Sequence, residues 1–251
     1  MNFRTGPAAA AAVTAADYLW IRDHGSVFRH ALEGGYTMTL VRGVTPAEVF
    51  RAMGAEQREA CTGAAELADR QAALLDVDDY WSDDFLAGVF TVPGDGGDWA
   101  VVLHFDGGVG MEPEFLEALS AGSRAVSHTT NGGKPMDHFS WYEDGELRTG
   151  FEYPTSRWGS TPDALNDQLT QVGFSLVDDD DLVGGFTADV DGKAAVFALA
   201  ERLTGVRLTE ELLARSEYQV GEVPDDSDHT VMAQAWAEAN APIVVSGPGH
   251  R

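Results

Sequence analysis

Cysteine is nearly absent from this chain of 251 residues: Cys61 stands alone, which excludes an internal disulfide and any metal site built from several thiolates. A lone thiol of this kind is expected to pack as a small apolar residue, here on a helix. Lysine is almost as scarce, with only Lys134 and Lys193 beside 14 arginines. Positive charge is scarce altogether, since 16 basic residues face 41 acidic ones and leave a formal net charge of −25. A field of that sign repels phosphate backbones and anionic lipid, and no concentrated basic patch relieves it, so neither nucleic acid nor a membrane surface is an expected partner. No apolar run approaches the roughly 20 residues of a spanning helix, and the alanine tract near the N-terminus lacks the core of a signal peptide. The expected location is the cytoplasm.

Hydrophobic residues are not lacking: at 44% of the chain, with 10% aromatic, they are enough for a sizeable core despite the charge. The acid is uneven. Between Arg70 and Arg124 there is no Lys or Arg, and eleven carboxylates, among them Asp78, Asp79, Asp83 and Asp84, leave that stretch at −11. Two further stretches, Asp178 to Asp181 and Glu217 to His250, are likewise unopposed. Such runs are solvated faces or docking surfaces for a basic partner.

Helix ends are marked clearly. Thr45-Pro46-Ala47-Glu48 combines a capping Thr, Pro at the first helical position and Glu at the third, which predicts a short helix stopping at Gly54. Thr161-Pro162-Asp163 predicts another running to Gly173, Pro113 heads a third ending near Gly122, and an alanine-rich helix closes at Gly205 before a second from Thr209. AADYLWIRD and SVFRHALEGG predict one broken helix or two, and SDHTVMAQAWAEAN a last helix before a frayed tail. Elsewhere the period changes. Trp99 to Phe105 is a nearly continuous apolar run, the pattern of an inner strand buried on both faces, and Thr37–Arg42, Phe85–Thr91, Arg124–Thr130, Asp137–Tyr142 and Arg148–Tyr153 read as further strands. Asp144-Gly145 joins the last two as a hairpin. The expected fold class is therefore α+β, an antiparallel β-meander flanked by helices, with 1–16 as an Ala-rich tail, 17–224 as the folded unit and 225–251 as a C-terminal helix and tail.

Tyr36-Thr37-Met38-Thr39-Leu40-Val41-Arg42-Gly43, Gly97-Asp98-Trp99-Ala100-Val101-Val102, Leu119 to Val126, Glu143-Asp144-Gly145, Arg157-Trp158-Gly159 and Ala200-Glu201-Arg202-Leu203-Thr204-Gly205 occur in one order. From Tyr18 to about Pro224 they resemble an actinobacterial family of uncharacterised proteins called domain of unknown function 6461. The resemblance implies no activity, cofactor or ligand.

The candidate chemistry is a polar set at the strand ends: His104, Asp106, His128 and His138, with Asp137 and Glu152 nearby. If neighbouring strands pair in register, two or three imidazoles converge at one sheet end, and a carboxylate would complete a divalent-metal site. The spacings match no ligand motif, however, so no metal and no cofactor is expected. A hydrolase triad drawn from Ser123 or Ser127 with His104 or His128 lacks the G-x-S-x-G elbow. Trp99, Trp141 and Phe151 are expected in the core. Arg157 and Trp158, just before a helix, either pin their loop or present a stacking surface. The reading that follows is a non-catalytic acidic interaction module for a basic protein, with Asp78, Asp79, Asp83, Asp84, Arg157 and Trp158 as binding residues. The alternative is a small-molecule-binding or hydrolase-like protein with a His/Asp pocket.

Overall fold

The computed structural model describes residues 13–77, 85–105, 112–131, 137–177 and 190–224. Within them the strands are β1 (Tyr36–Arg42), β2 (Glu56–Thr62), β3 (Phe85–Gly94), β4 (Gly97–His104), β5 (Arg124–Thr130), β6 (Asp137–Glu143), β7 (Glu146–Tyr153), β8 (Ser156–Trp158) and β9 (Glu217–Val223). The helices are α1 (Phe28–Gly34), α2 (Pro46–Ala52), α3 (Ala64–Val77), α4 (Pro113–Leu119), α5 (Asn166–Val172), α6 (Gly192–Thr204) and α7 (Glu210–Arg215), preceded by a 3₁₀ helix over Ala15–Arg22. The architecture is α+β.

The strands form one nine-stranded sheet in the order β2-β9-β3-β4-β1-β5-β6-β7-β8, with every neighbouring pair antiparallel. The run β5 to β8 is a true meander. The other half is not: β1 lies between β4 and β5, and β9 between β2 and β3. Local signals account for the hairpins. Asp144 and Gly145 have φ of 55° and 76°, the two positive values that a two-residue type I′ turn requires.

Apolar residues alternate between the two faces, and each face has its own core. Tyr36, Met38 and Leu40 of β1, Trp99, Val101 and Leu103 of β4, and Val126, Phe139 and Phe151 belong to the larger cluster. Residues 194 to 200 of α6 are all buried, with the 3₁₀ helix, α5 and β5 among the neighbours of this helix. A helix covered this completely must be apolar all round, and its alanines let its neighbours come close. The opposite face carries Val41, Ala87, Val89, Ala100, Val102 and Ala125 beneath Val49 and Phe50 of α2 and Phe115, Leu116 and Leu119 of α4. The run from Trp99 thus supplies both cores, as its pattern predicts.

The predicted caps form. The Thr45 hydroxyl accepts from the Glu48 N–H at 3.3 Å, and the Glu48 carboxylate accepts from the Thr45 N–H at 2.7 Å. Gly205 closes α6 at φ 67°, and the Thr209 hydroxyl caps α7 by accepting from the Leu212 N–H. The Thr161-Pro162 helix starts a turn later than predicted, at Asn166. Thr161 is held to β7 instead: its N–H donates to the Arg148 carbonyl at 2.8 Å and its own carbonyl accepts from Thr149 Oγ1 at 2.8 Å.

Cys61 corrects another expectation. It sits on β2, not on a helix, and its side chain is buried in the larger core while the other β2 residues face outward. Strand β2 is a sheet edge with a bulge between Arg58 and Cys61. There Arg70 of α3 donates to the carbonyls of Glu59 and Ala60 at 2.7 and 3.2 Å, so the bulge's own acceptors are engaged. The sequence reading missed α3, β2, β8 and β9. The SDHTVMAQAWAEAN segment lies outside the described residues, and no helix among them is long and apolar enough to cross a membrane.

Candidate functional site: the histidine-bearing strand ends

Register decides which polar groups meet. On β1, Thr37 pairs with His104 of β4 and Thr129 of β5, while Met38 pairs with His128. That one-residue offset places His104 and His128 on opposite faces of the sheet. His138 pairs with Thr129, so His104, Thr37, Thr129 and His138 form one cross-strand row. Three strand spacings of about 4.8 Å separate its ends by roughly 14 Å, too far for two imidazoles to share one ion. Among the described residues no group of three or more His, Cys, Asp or Glu is placed to hold a metal.

Each imidazole has its own surroundings. His104 is fully buried and stacks on Phe85, with ring centres 4.5 Å apart and planes at 21°. His128 is equally buried, and its Nδ1 lies 2.9 Å from the Tyr36 hydroxyl in a hydrogen bond. Beside it, Lys193 Nζ donates to Thr130 Oγ1 at 2.5 Å. His138 meets Trp158 edge to face at 5.4 Å. Desolvation by its neighbours pushes its pKa below the usual imidazole value, and the Glu152 carboxylate pulls the other way. Asp106 lies outside the described residues.

The row beside His104 and His138 is built of hydroxyls. Thr37 and Thr129 are joined through their Oγ1 atoms at 3.2 Å, and Thr39 Oγ1 and Ser127 Oγ at 2.8 Å. Ser127 is thereby engaged with a threonine. Ser123 donates to the Arg42 carbonyl at 2.6 Å, and neither serine hydrogen-bonds to an imidazole. The triad drawn from the sequence is not assembled.

Arg157 pins its loop. It donates to the carbonyls of Pro162, at 3.1 Å, and Pro154, and to the Asp163 carboxylate at 2.7 Å. Trp158 lies over Gly150, where an added Cβ would come within 2.8 Å of the indole Nε1, and keeps 39% of its surface exposed. Of the two roles that the sequence left open, the pinning of the loop is the one seen, through Arg157. Trp99 and Phe151 are core residues, whereas Trp141 is half-buried with the Arg124 guanidinium 5.5 Å from its ring.

Asp78, Asp79, Asp83 and Asp84 lie outside the described residues. What is described is the fate of the positive charge. Arg22, Arg58, Arg70, Arg124, Arg148, Arg157, Arg207 and Arg215 each form an ion pair with a carboxylate of this same chain. Arg202 donates to the Val13 carbonyl and to Gln171.

One concave feature escaped the sequence reading. A cavity of about 540 Å³ opens between the turn before α1, the start of α3 and α7. Its lining comes from three stretches far apart in the chain, and no local motif marks it.

A nine-stranded antiparallel sheet with helices on both faces defines an α+β protein, and among the described residues its polar strand ends gather no metal cluster and no serine–imidazole pair. The chain belongs to a family described as "Family of unknown function (DUF6461)", which matches residues 11–228. No curated protein and no solved structure matches it.

Proposed function

We propose that this chain is a non-catalytic, acidic protein-interaction module of the cytoplasm, an immunity-like or sequestering partner of a basic protein. The arginine-over-lysine bias, 14 to 2, fits an actinobacterial host with GC-rich coding. The observation that carries the proposal is the internal use of cations: the eight paired arginines named above are spent on carboxylates of their own chain. A surplus of 41 acids over 16 bases then falls to the surface, where it attracts a positively charged partner and repels nucleic acid and anionic membranes. The enzyme reading is not preferred, because two of the imidazoles it needs sit on opposite faces of the sheet.

The test is affinity capture from the native host with mass spectrometry, followed by association kinetics with the captured protein. Association is expected to slow between about 20 and 150 mM salt, as the screening length shrinks to about 8 Å. Reversing Asp78, Asp79, Asp83 and Asp84 to lysine should slow it further while dissociation changes little. A partner that associates at a salt-independent rate, unaffected by these reversals, would overturn the proposal.

A further inference from the structure

The cavity of about 540 Å³ is walled by small residues from separate elements: Gly25 and Ser26 before α1, Gly63, Ala64 and Ala68 at the start of α3, and Ala214 of α7. That volume falls within the roughly 300–1,000 Å³ of ligand pockets. The concavity is built into the backbone. Gly63, at φ 87°, is the residue at which a Cβ would lie 2.6 Å from the Ala214 carbonyl oxygen, so α3 and α7 meet there without a side chain between them.

Three titratable side chains line this space: His24, Asp69 and Glu210. Neither carboxylate has an ion pair or hydrogen bond with any described residue, although the next acid along α7, Glu211, pairs with Arg215 at 2.7 Å. The start of α3 contributes a partial positive charge of about half a unit. It is already met by a carboxylate of the same helix, since Glu66 accepts from the Thr62 N–H at 3.2 Å. Two full negative charges therefore outweigh what remains of the helix end, and the cavity favours a cation.

We infer that this cavity receives a basic side chain of the protein partner, a guanidinium or ammonium seated between Asp69 and Glu210 with its aliphatic stem along the alanine wall. The inference rests on the proposed acidic interaction role and gives it an anchor point. Both carboxylates are exposed at the mouth of the cavity, so each ion pair is weakened by solvent and the contact of the aliphatic stem with the alanine wall adds to what the charges supply.

The test uses the full chain and a defined probe, the acetylated tri-arginine amide, titrated by calorimetry and by NMR against acetylated tri-norleucine amide. Saturable binding of the arginine peptide, with shifts at Ala64, Ala68 and Ala214, is the expected result. Two variants separate the cavity from general electrostatics. Asp69→Asn with Glu210→Gln removes two charges from the cavity, and Glu112→Gln with Glu114→Gln removes two charges from the start of α4. The first pair should weaken binding about tenfold, or 1.4 kcal/mol, and the second less than twofold. Gly25→Leu plugs the space without strain, since a Cβ there meets only the Glu210 Oε1 at 3.9 Å, and should weaken binding as the first pair does. Equal weakening by both charge-removing pairs, or full binding by the plugged variant, would overturn the anchor while leaving the acidic-module proposal standing. No saturable binding of tri-arginine by the unmodified chain would overturn the anchor as well. Failure of the host partner to respond to salt strikes the module itself.

Discussion

Val102 is the most exacting place to test the two-core architecture. It is fully buried on β4, with Val89 of β3 on one side and Thr39 of β1 on the other, in the core beneath α2 and α4. In Val102→Asp the new carboxyl must either ionise in the core or stay protonated there. Full burial raises a carboxyl pKa by about 3–5 units, so at 1.36 kcal/mol per unit the charged form costs roughly 4–7 kcal/mol, and at about pH 7, where the group keeps its proton instead, the loss is about 4 kcal/mol. That is comparable with the total of about 5–15 kcal/mol that holds a typical domain together. The sign of its pH dependence follows. A carboxyl with a raised folded pKa favours the folded state at low pH, so the deficit against the unmodified protein should grow from about pH 4 upward and level off above the raised pKa. Val102→Asn, equally polar but without a titrating group, should be destabilised by an amount that does not change over that range. The assay is urea denaturation of both variants from pH 4 to 8. A Val102→Asp protein that unfolds at the normal midpoint, or whose deficit is the same at every pH, would show that this strand is not buried on both faces.

Other positions test other links. At Gly88 of β3 an added Cβ would lie 2.4 Å from Leu67 Cδ2 and 2.8 Å from Tyr218 Cδ1, so Gly88→Ala should lower stability by about 1–3 kcal/mol, and Leu67→Ala in the same chain should recover part of the loss in thermal melts. Burial raises the Asp191 carboxyl pKa, but the Arg22 guanidinium and the Ala194 N–H outweigh it and hold the group below its usual range. A depressed carboxyl stabilises the fold above its unfolded pKa of about 3.9 and loses that contribution as pH falls through the folded value. Asp191→Asn should therefore melt lower at pH 7 and converge with the unmodified protein in acid; a constant gap would refute the ion pair's role. The Cys61 thiol, pushed up by burial, should react slowly with a disulfide reagent in the native protein and rapidly in urea, and prompt full labelling without denaturant would place it at the surface.

Several elements of this protein were legible in the amino-acid sequence because their causes are local. The Thr45–Glu48 capping box, the Asp144-Gly145 turn and the stop at Gly205 each involve residues within a few positions of one another, and the run from Trp99 declares a strand buried on both sides by composition alone. Strand β2 was not legible, since Glu56 to Thr62 exposes every residue except Cys61, and at a charged sheet edge alternation carries no hydrophobic signal. Nor was the threading of β1 between β4 and β5, which is fixed by which apolar faces cover each other across the fold. The histidines mark the boundary between the two kinds of information. Alternation within a strand places each imidazole on one side of its own strand, but whether two strands agree on a side depends on their mutual register. Pairing Thr37 with His104 and Met38 with His128 sends those two rings to opposite cores, because a shift of one residue in a ladder of period two reverses every side chain.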